Sequence, residues 1–212
     1  MTALARSIRA GAVALAASFV LSVTAPAQTA STSAKDFVQN VGNEAIHKLT
    51  DRSLPDTTRV KQMRAFLREN FDEAAISKFV LGTYWNRASE AQRAEFQKLY
   101  ETVVAHNYAG LFKKYSGETF QVLSQRGDAD DTIVNAQINQ TNGGPAIPVE
   151  LQVRKDGGAW KAVDIKVDGV SMPQTHRKEY SSVINRSRNG VEGLLTALRN
   201  KAKQLEADTP SE

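Results

Sequence analysis

The stretch of the chain that decides the fold is WKAVDIKVDGVSMPQTHRKEYSSVINRSRNGVEGLLTAL, at residues 160–198. Its first part alternates apolar and polar residues up to Asp168-Gly169, which indicates a strand that ends in a turn. Ser171 and Gln174 then have the spacing of a capping box, and Pro173 falls in the first helical turn, where its missing N–H costs nothing. The stretch therefore predicts a strand that passes almost directly into a helix.

The same period of two extends back to residue 119. Apolar and polar residues alternate in four segments, and the turns between them are rich in Gly, Asn and Asp. The last two segments give the clearest inward-facing sets, which are Ile147, Val149, Leu151 and Val153 in one and Val163, Ile165 and Val167 in the other. We therefore predict a four-stranded antiparallel sheet with one apolar face and one solvated face.

Helical periodicity dominates on both sides of these strands. Apolar residues recur at three- and four-residue spacing in six segments, at 37–49, 60–71, 72–81, 89–116, 171–186 and 191–205. Helices before and after a one-faced sheet give an α+β fold in which the helices cover the apolar face. The pattern leaves two arrangements open: helices packed tightly on the sheet as a plain core, or helices that stand off the sheet around an apolar slot.

Residues 1–27 have the three parts of a secretory signal peptide. Arg6 and Arg9 form a basic region, and residues 10–23 are apolar and uncharged. That apolar segment is shorter than the roughly 20 residues that a membrane-spanning helix needs. Ala25-Pro26-Ala27 supplies the small-x-small pattern of a cleavage site, so we expect cleavage after Ala27 and export of the remaining chain.

The composition excludes several classes of function. The chain has no cysteine, so it can form neither a disulfide nor a lipid-modified N-terminal Cys. Its net charge of +4 includes two arginines of the signal peptide, and the remaining excess is too small to indicate nucleic-acid binding. The three histidines, His47, His106 and His176, lack the spacing of a zinc site, and no nucleophile-elbow, P-loop or dinucleotide motif is present. We therefore assign no catalytic residue, no metal and no cofactor.

Four ordered blocks of the sequence resemble the MlaC family, which comprises periplasmic phospholipid shuttles also described as toluene-tolerance auxiliary proteins of an ABC transport system. The blocks are LGTYW with AQRxxF at 81–96, YSGETF at 115–120, WxAxD with GVSM at 160–172, and GxxGL at 190–194. The resemblance implies a cone of the MlaC-like or NTF2-like kind, with helices and an antiparallel sheet around an apolar pocket. It divides the chain into a signal peptide (1–27), a disordered linker (28–34), a single MlaC-like lipid-binding domain (35–206) and a disordered tail (207–212).

The resemblance further implies a monomeric, non-enzymatic phospholipid carrier in the periplasm, which maintains the lipid asymmetry of the outer membrane. The expected lipid-binding residues are Val80, Leu81 and Tyr84 on the helical side, Val149, Leu151, Val153, Ile165 and Val167 on the sheet, and Val170 at the strand-to-helix junction. The implied partners are phospholipid, an inner-membrane complex of an MCE protein and an ABC transporter, and an outer-membrane lipoprotein complex, with no nucleic acid.

Two other functions are compatible with the same pattern. One is an NTF2-like pocket enzyme, although no convincing Asp/His or Tyr/Asp pair is visible in the sequence. The other is a non-catalytic interaction protein of the cell envelope with a filled core. Phospholipid that co-purifies with the protein would distinguish the carrier from both.

Export leads to a direct prediction about the N-terminus. The basic region, the short apolar segment and the Ala-x-Ala pattern predict that the mature protein begins at Gln28. N-terminal sequencing of protein from the periplasmic fraction is expected to read QTASTS. Recovery of chains that retain Met1 in the membrane fraction would show that the segment is an uncleaved anchor.

Overall fold

The structure is a computed structural model that describes residues 33–115 and 117–209. The predicted signal peptide, most of the predicted linker and residues 210–212 of the predicted tail lie outside the described residues. The elements, in chain order, are α1 (Ala34–Leu49), α2 (Asp56–Asn70), α3 (Glu73–Leu81), a short 3-10 helix (Gly82–Tyr84), α4 (Glu90–Phe112), β1 (Thr119–Gly127), β2 (Asp131–Asn139), β3 (Ile147–Asp156), β4 (Ala159–Val167), β5 (Val170–Ser171), α5 (Met172–Arg186) and α6 (Val191–Ala207). No helix within 33–115 and 117–209 combines the length and hydrophobicity that a membrane crossing requires.

The strands form one antiparallel sheet in the order β1-β2-β3-β4-β5. This confirms the predicted meander, but the sheet has five strands and not four. The additional strand β5 is only two residues long, and it pairs with the end of β4 through Val167 and Val170 after a tight turn. In that turn Asp168 has a φ of 51° and Gly169 a φ of 77°. Two residues are too few to show a period of two, so the sequence pattern could not reveal this strand.

The inner face of the sheet is a ladder of apolar side chains in register. Ala136 of β2 faces Val149 of β3, which faces Val167 of β4. Leu151 similarly faces Ile165 on the neighbouring strand. Charged and amide side chains occupy the opposite face, where Glu150 accepts hydrogen bonds from Arg126 at 2.7 Å and from Lys166. The predicted one-faced sheet is therefore confirmed.

The buried apolar residues form two clusters. The first joins α1, α2 and the inner sheet face, and it includes Val38, Met63 and Val153. The second joins α3, α4, α5 and α6, and it includes Val80, Leu81 and Phe96. Helix α4 contributes to both clusters, through Ala105 and Ala109 in the first and Phe96 and Tyr100 in the second, so it connects the two.

The junction between α2 and α3 is fixed to the open edge of β4. The backbone N–H of Asp72 donates to the carbonyl of Ala162 at 2.9 Å, and the Asp72 side chain accepts from the N–H of Ala75 at 2.9 Å as the α3 N-cap. Lys161 adds hydrogen bonds from its Nζ to the carbonyls of Arg68 and Glu69, where α2 ends. A cation suits this position because helix C-termini carry a partial negative charge. The arrangement sets α3 beside the sheet and away from its inner face.

Helix α1 closes the outer edge of β1. The side chain of Gln39 donates from Nε2 to the carbonyl of Phe120 at 3.0 Å and accepts from the N–H of Val122 at 3.0 Å. It thus satisfies edge groups that a further strand would otherwise pair with. One turn later α1 passes so close to β1 that a Cβ on Gly42 would lie 2.0 Å from the Phe120 ring. Glycine is required there by the close approach of the ring.

The termini of the described region agree only in part with the predicted domain limits. Helix α1 begins at Ala34, where Ser33 acts as N-cap by accepting from the N–H of Asp36 at 3.1 Å. Helix α6 extends through Ala207, the first residue of the predicted disordered tail. The predicted linker and tail otherwise stay predictions.

A buried arginine organises the turn between α1 and α2. Arg59 is only 1% exposed. Its guanidinium donates to the carbonyls of Leu49 at 2.5 Å, Asp51 at 2.8 Å and Leu54 at 3.2 Å. Leu49 is the last residue of α1, so its carbonyl brings the negative end of the helix dipole to the buried charge of Arg59.

Replacing Arg59 with Met is expected to lower the free energy of unfolding by about 2–4 kcal/mol. The change keeps the aliphatic stem but leaves three carbonyls without their charged donor, and hydrogen bonds to charged groups contribute about 1.5–3 kcal/mol. Urea denaturation measures the effect. The control Arg52→Met alters an exposed side chain in the same turn and should change stability by less than about 0.5 kcal/mol. Equal effects of the two substitutions would contradict the role of the Arg59 contacts.

Candidate functional site

A large apolar cavity lies between the inner face of the sheet and helices α1 to α5. Its volume is about 830 Å³, near the upper end of the range for small-molecule binding sites. The sheet supplies Phe120, Ile138, Val149, Leu151, Ile165 and Val167, and the helices supply mainly apolar and aromatic residues, among them Val41, Ala45, Met63, Phe66, Ile76, Tyr100, Val104, Tyr108, Leu111, Phe112, Met172, Pro173 and His176. The sequence left two arrangements open. The structure has the one in which the helices stand off the sheet around an apolar slot.

The cavity exists because α4 packs against α2 and α6 and not on the sheet. The α4 residues Val104, Tyr108 and Leu111 consequently face the strands across an open space. Small residues on the other helices, such as Gly42 and Ala45 of α1 and Ala74 of α3, take up little of that space. Leu111 is 46% exposed, so the cavity reaches solvent along the C-terminal half of α4.

Charged residues meet the cavity at the start of α3 and the facing turn of α4. Glu101 binds Arg68 at 2.7 Å and lies 3.7 Å from Arg64. Glu73 also lines the wall, and burial, together with the negative charge of Glu101, raises its pKa. Most of the charged residues that line the otherwise apolar wall are therefore acidic, with Glu73 and Glu101 close together.

An aromatic group around His176 forms the wall next to α5. The hydroxyl of Tyr100 and Nδ1 of His176 are 2.8 Å apart, and the ring of Tyr180 stacks on His176 with centroids 6.0 Å apart. Burial raises the pKa of Tyr100 well above its usual value and raises the pKa of Tyr108 to about 12. Burial lowers the pKa of His176, so its neutral imidazole is favoured at neutral pH. The group therefore presents neutral rings to the cavity.

Sequence comparisons agree with this geometry. Residues 39–200 match the family described as MlaC protein. This match covers most of the chain.

The chain belongs to the MlaC family.

Two characterised relatives are similar to the chain. It is 32% identical to the intermembrane phospholipid transport system binding protein MlaC of Haemophilus influenzae over 136 residues, which span 62% of each protein. It is 24% identical to the toluene tolerance protein ttg2D of Pseudomonas putida over 96% of each. Among solved structures, a phospholipid-binding protein from Ralstonia solanacearum, in complex with a phospholipid, matches 82% of this chain and 98% of its own with a TM-score of 0.71 and 21% identity. That structural likeness confirms the MlaC-like fold.

In this MlaC-family chain the predicted lipid-binding residues divide into two groups. Val149, Leu151, Ile165 and Val167 lie on the cavity wall, where the period of two had placed them. The other five do not line it. Val80 and Leu81 are fully buried in the second apolar cluster, because α3 presents Ile76 and Ser77 to the cavity and its next turn to α4 and α6.

The remaining three predicted residues lie elsewhere for separate reasons. Tyr84 follows the bend at Gly82 and donates from its hydroxyl to Asn185 Oδ1 at 2.5 Å. Val153 is fully buried in the first apolar cluster, next to a register shift in β3. Val170 is 51% exposed, because the Asp168-Gly169 turn points it to solvent. The inward position that the MlaC resemblance implied for Val170 is therefore wrong.

The sequence interpretation missed the contribution of α4 and α5 to the site. The sequence showed a wide apolar face that includes Val104, Leu111, Phe112 and Tyr115. The width of this face was the available signal, because a helix that packs on one neighbour needs only a narrower apolar stripe. His176 was recognisable on the apolar side of its helix. Within 33–115 and 117–209, no group of three or more His, Cys, Asp or Glu residues has the arrangement of a metal site.

The buried histidine gives a prediction about pH. Because the pKa of His176 is lower in the folded protein than its usual value of 6.5, protonation favours the unfolded chain. Stability is therefore expected to fall as the pH drops from about 7.5 to 5.5, and His176→Asn should make that fall smaller. Thermal unfolding at both pH values measures the difference. His106→Asn serves as the comparison at a second histidine. Burial also lowers the pKa of His106, but this residue does not line the cavity. An unchanged pH dependence in His176→Asn would show that His176 does not titrate in this range.

Proposed function

We propose that this protein is a soluble periplasmic carrier that shuttles phospholipids between the inner and outer membranes and thereby maintains outer-membrane lipid asymmetry. The observation that carries the proposal is the apolar cavity of about 830 Å³ between the sheet and α4. The names of the Haemophilus and Pseudomonas relatives, which refer to intermembrane phospholipid transport and to toluene tolerance, support it. So does the phospholipid in the Ralstonia structure, which has the same fold.

The physical requirement for such a carrier is clear. Each acyl methylene exposed to water costs about 0.8 kcal/mol, so a 16-carbon chain costs roughly 12 kcal/mol. A lipid cannot cross an aqueous gap at a useful rate without a cover for its chains. The carrier need not bury the charged headgroup, whose desolvation would be expensive. An apolar cavity that reaches solvent along α4 meets both conditions.

We infer that Val149, Leu151, Ile165 and Val167 contact the acyl chains from the sheet, and that Val104, Tyr108 and Phe112 contact them from α4. All seven side chains line the cavity, and all are apolar or aromatic. The function needs no reactive group, and we infer that the protein acts by binding and release alone. Its partners would be an inner-membrane complex of an MCE protein and an ABC transporter, and an outer-membrane lipoprotein complex.

Two neighbouring valines test the proposal. Val167→Trp adds a bulky apolar side chain inside the cavity, whereas Val170→Trp adds the same side chain at an exposed position three residues later. Lipid extraction and mass spectrometry of protein purified from the periplasm should find phospholipid in the wild type and in Val170→Trp. Val167→Trp should hold several-fold less, because the indole occupies the space of the acyl chain.

Circular dichroism provides the necessary control for folding. Overpacking typically costs about 1–3 kcal/mol, and the open cavity should keep the cost of Val167→Trp near the low end. Wild-type protein that neither co-purifies with phospholipid nor extracts it from vesicles would overturn the carrier function. If Val167→Trp and Val170→Trp both fold and lose lipid equally, the cavity is not the lipid-binding site.

A further inference from the structure

The outer face of α5 carries a second, polar groove. Its volume is about 450 Å³, and it is open to solvent. Three cations and three hydrogen-bonding side chains dominate its lining: Arg177, Lys178, Arg186, Ser181, Ser182 and Asn185. None of these residues lines the apolar cavity. The groove is therefore a separate feature of the surface.

The cations of this groove have no carboxylate partners within the described parts of the chain. On α6 and β3, by contrast, Arg199 binds Glu95 and Glu192, and Arg154 binds Asp131. Arg177, Lys178 and Arg186 form no ion pair within those described parts, and neither does the nearby Arg87. Glu179 lies between Lys178 and Arg186 in sequence and adds one negative charge to the helix, but it does not line the groove. The groove thus carries three positive charges and no carboxylate in its lining.

Aromatic side chains lie beside the groove, and Phe79 contacts one of its cations. The guanidinium of Arg177 lies 4.9 Å from the centroid of Phe79, a side chain that is 42% exposed. Arg87 lies 5.8 Å from the ring of Tyr84, which in turn donates to Asn185. Stacking on a ring leaves the N–H groups at the edge of a guanidinium free to bind a carboxylate in bidentate fashion. The surface therefore combines an ordered cation with an exposed apolar ring.

Helix α5 also connects this groove to the cavity. Its N-terminal residues Met172, Pro173 and His176 line the cavity on the other side. Ile184 is buried, and the ring of Tyr180 packs edge-on against Phe96 and Tyr100 of α4. A partner bound to the outer face would contact the helix that also forms a wall of the cavity.

We propose that the outer face of α5, together with Phe79 and Arg87, docks an acidic segment of a partner protein during lipid transfer. This inference rests on the proposed carrier function, since it makes α5 both the docking surface and a cavity wall. The unpaired cations specify carboxylates as the complementary charge. The concave shape and the hydroxyl and amide groups suit individual side chains of a protein segment, whereas a flat bilayer surface could not enter the groove.

The test uses the intact mature protein and a fluorescein-labelled 12-residue peptide of Glu with two Leu residues. Fluorescence anisotropy at low salt, about 20 mM, keeps the electrostatic attraction largely unscreened. The triple variant Arg177→Glu, Lys178→Glu, Arg186→Glu should bind the peptide at least tenfold more weakly than the wild type. The matched control Arg52→Glu, Lys61→Glu, Lys203→Glu changes the net charge equally at exposed residues elsewhere, and it should bind within about twofold of the wild type.

Three results would overturn the docking proposal. The first is a wild type that does not bind the peptide, and the second is equal loss in both triple variants, which would indicate a net-charge effect. The third is binding of the wild type to phosphatidylglycerol vesicles but not to the peptide, which would identify a membrane surface as the occupant. Phospholipid content is measured in the same preparations. If the protein contains phospholipid but does not bind the peptide, only the docking proposal is wrong. If the protein contains no phospholipid but binds the peptide at α5, only the carrier function is wrong.

Discussion

Arg199 of α6 donates from Nε and Nη2 to the two carboxylate oxygens of Glu95 on α4, at 2.6 and 2.8 Å. Next to this pair Phe96 is fully buried against α6, where its neighbours include Leu194 and Leu195. The burial of one such ring contributes about 1.5–3 kcal/mol, while the exposed ion pair mainly fixes how the helices face each other. Because α4 is anchored in this way, it does not settle on the sheet, and the cavity depends on that separation.

The sequence predicted the parts of the site that follow from local periodicity. A strand has two faces, so the alternation through Val149 and Leu151 sufficed to place them on the inner wall. Helix α3 is apolar on several sides, and its pattern could not show that Val80 and Leu81 turn to α4 and α6. Val170 stands just after a turn, where strand parity no longer applies. The width of the cavity was not predictable either, because it depends on which helices α4 packs against.

The cavity has a consequence for stability. Apolar walls that face each other across a gap lose dispersion contacts that a filled core would have. A ligand that binds only the folded protein raises stability by mass action, in proportion to the logarithm of its concentration relative to its dissociation constant. A lipid in this cavity would therefore act as cargo and as a removable part of the core. Release would return the protein to a less stable state, which favours uptake of the next molecule.

The contacts between Gln39 and β1 affect the order in which the chain can fold. Gln39 is separated by more than 80 residues from the strand edge that it closes. Contacts between such distant segments form late, because the entropy of closing the intervening loop is lost before they contribute. Until α1 arrives, the edge of β1 remains open to pairing with another chain, with Leu123 exposed beside it. The docking of α1 is thus the step that closes the edge of β1 to pairing with another chain.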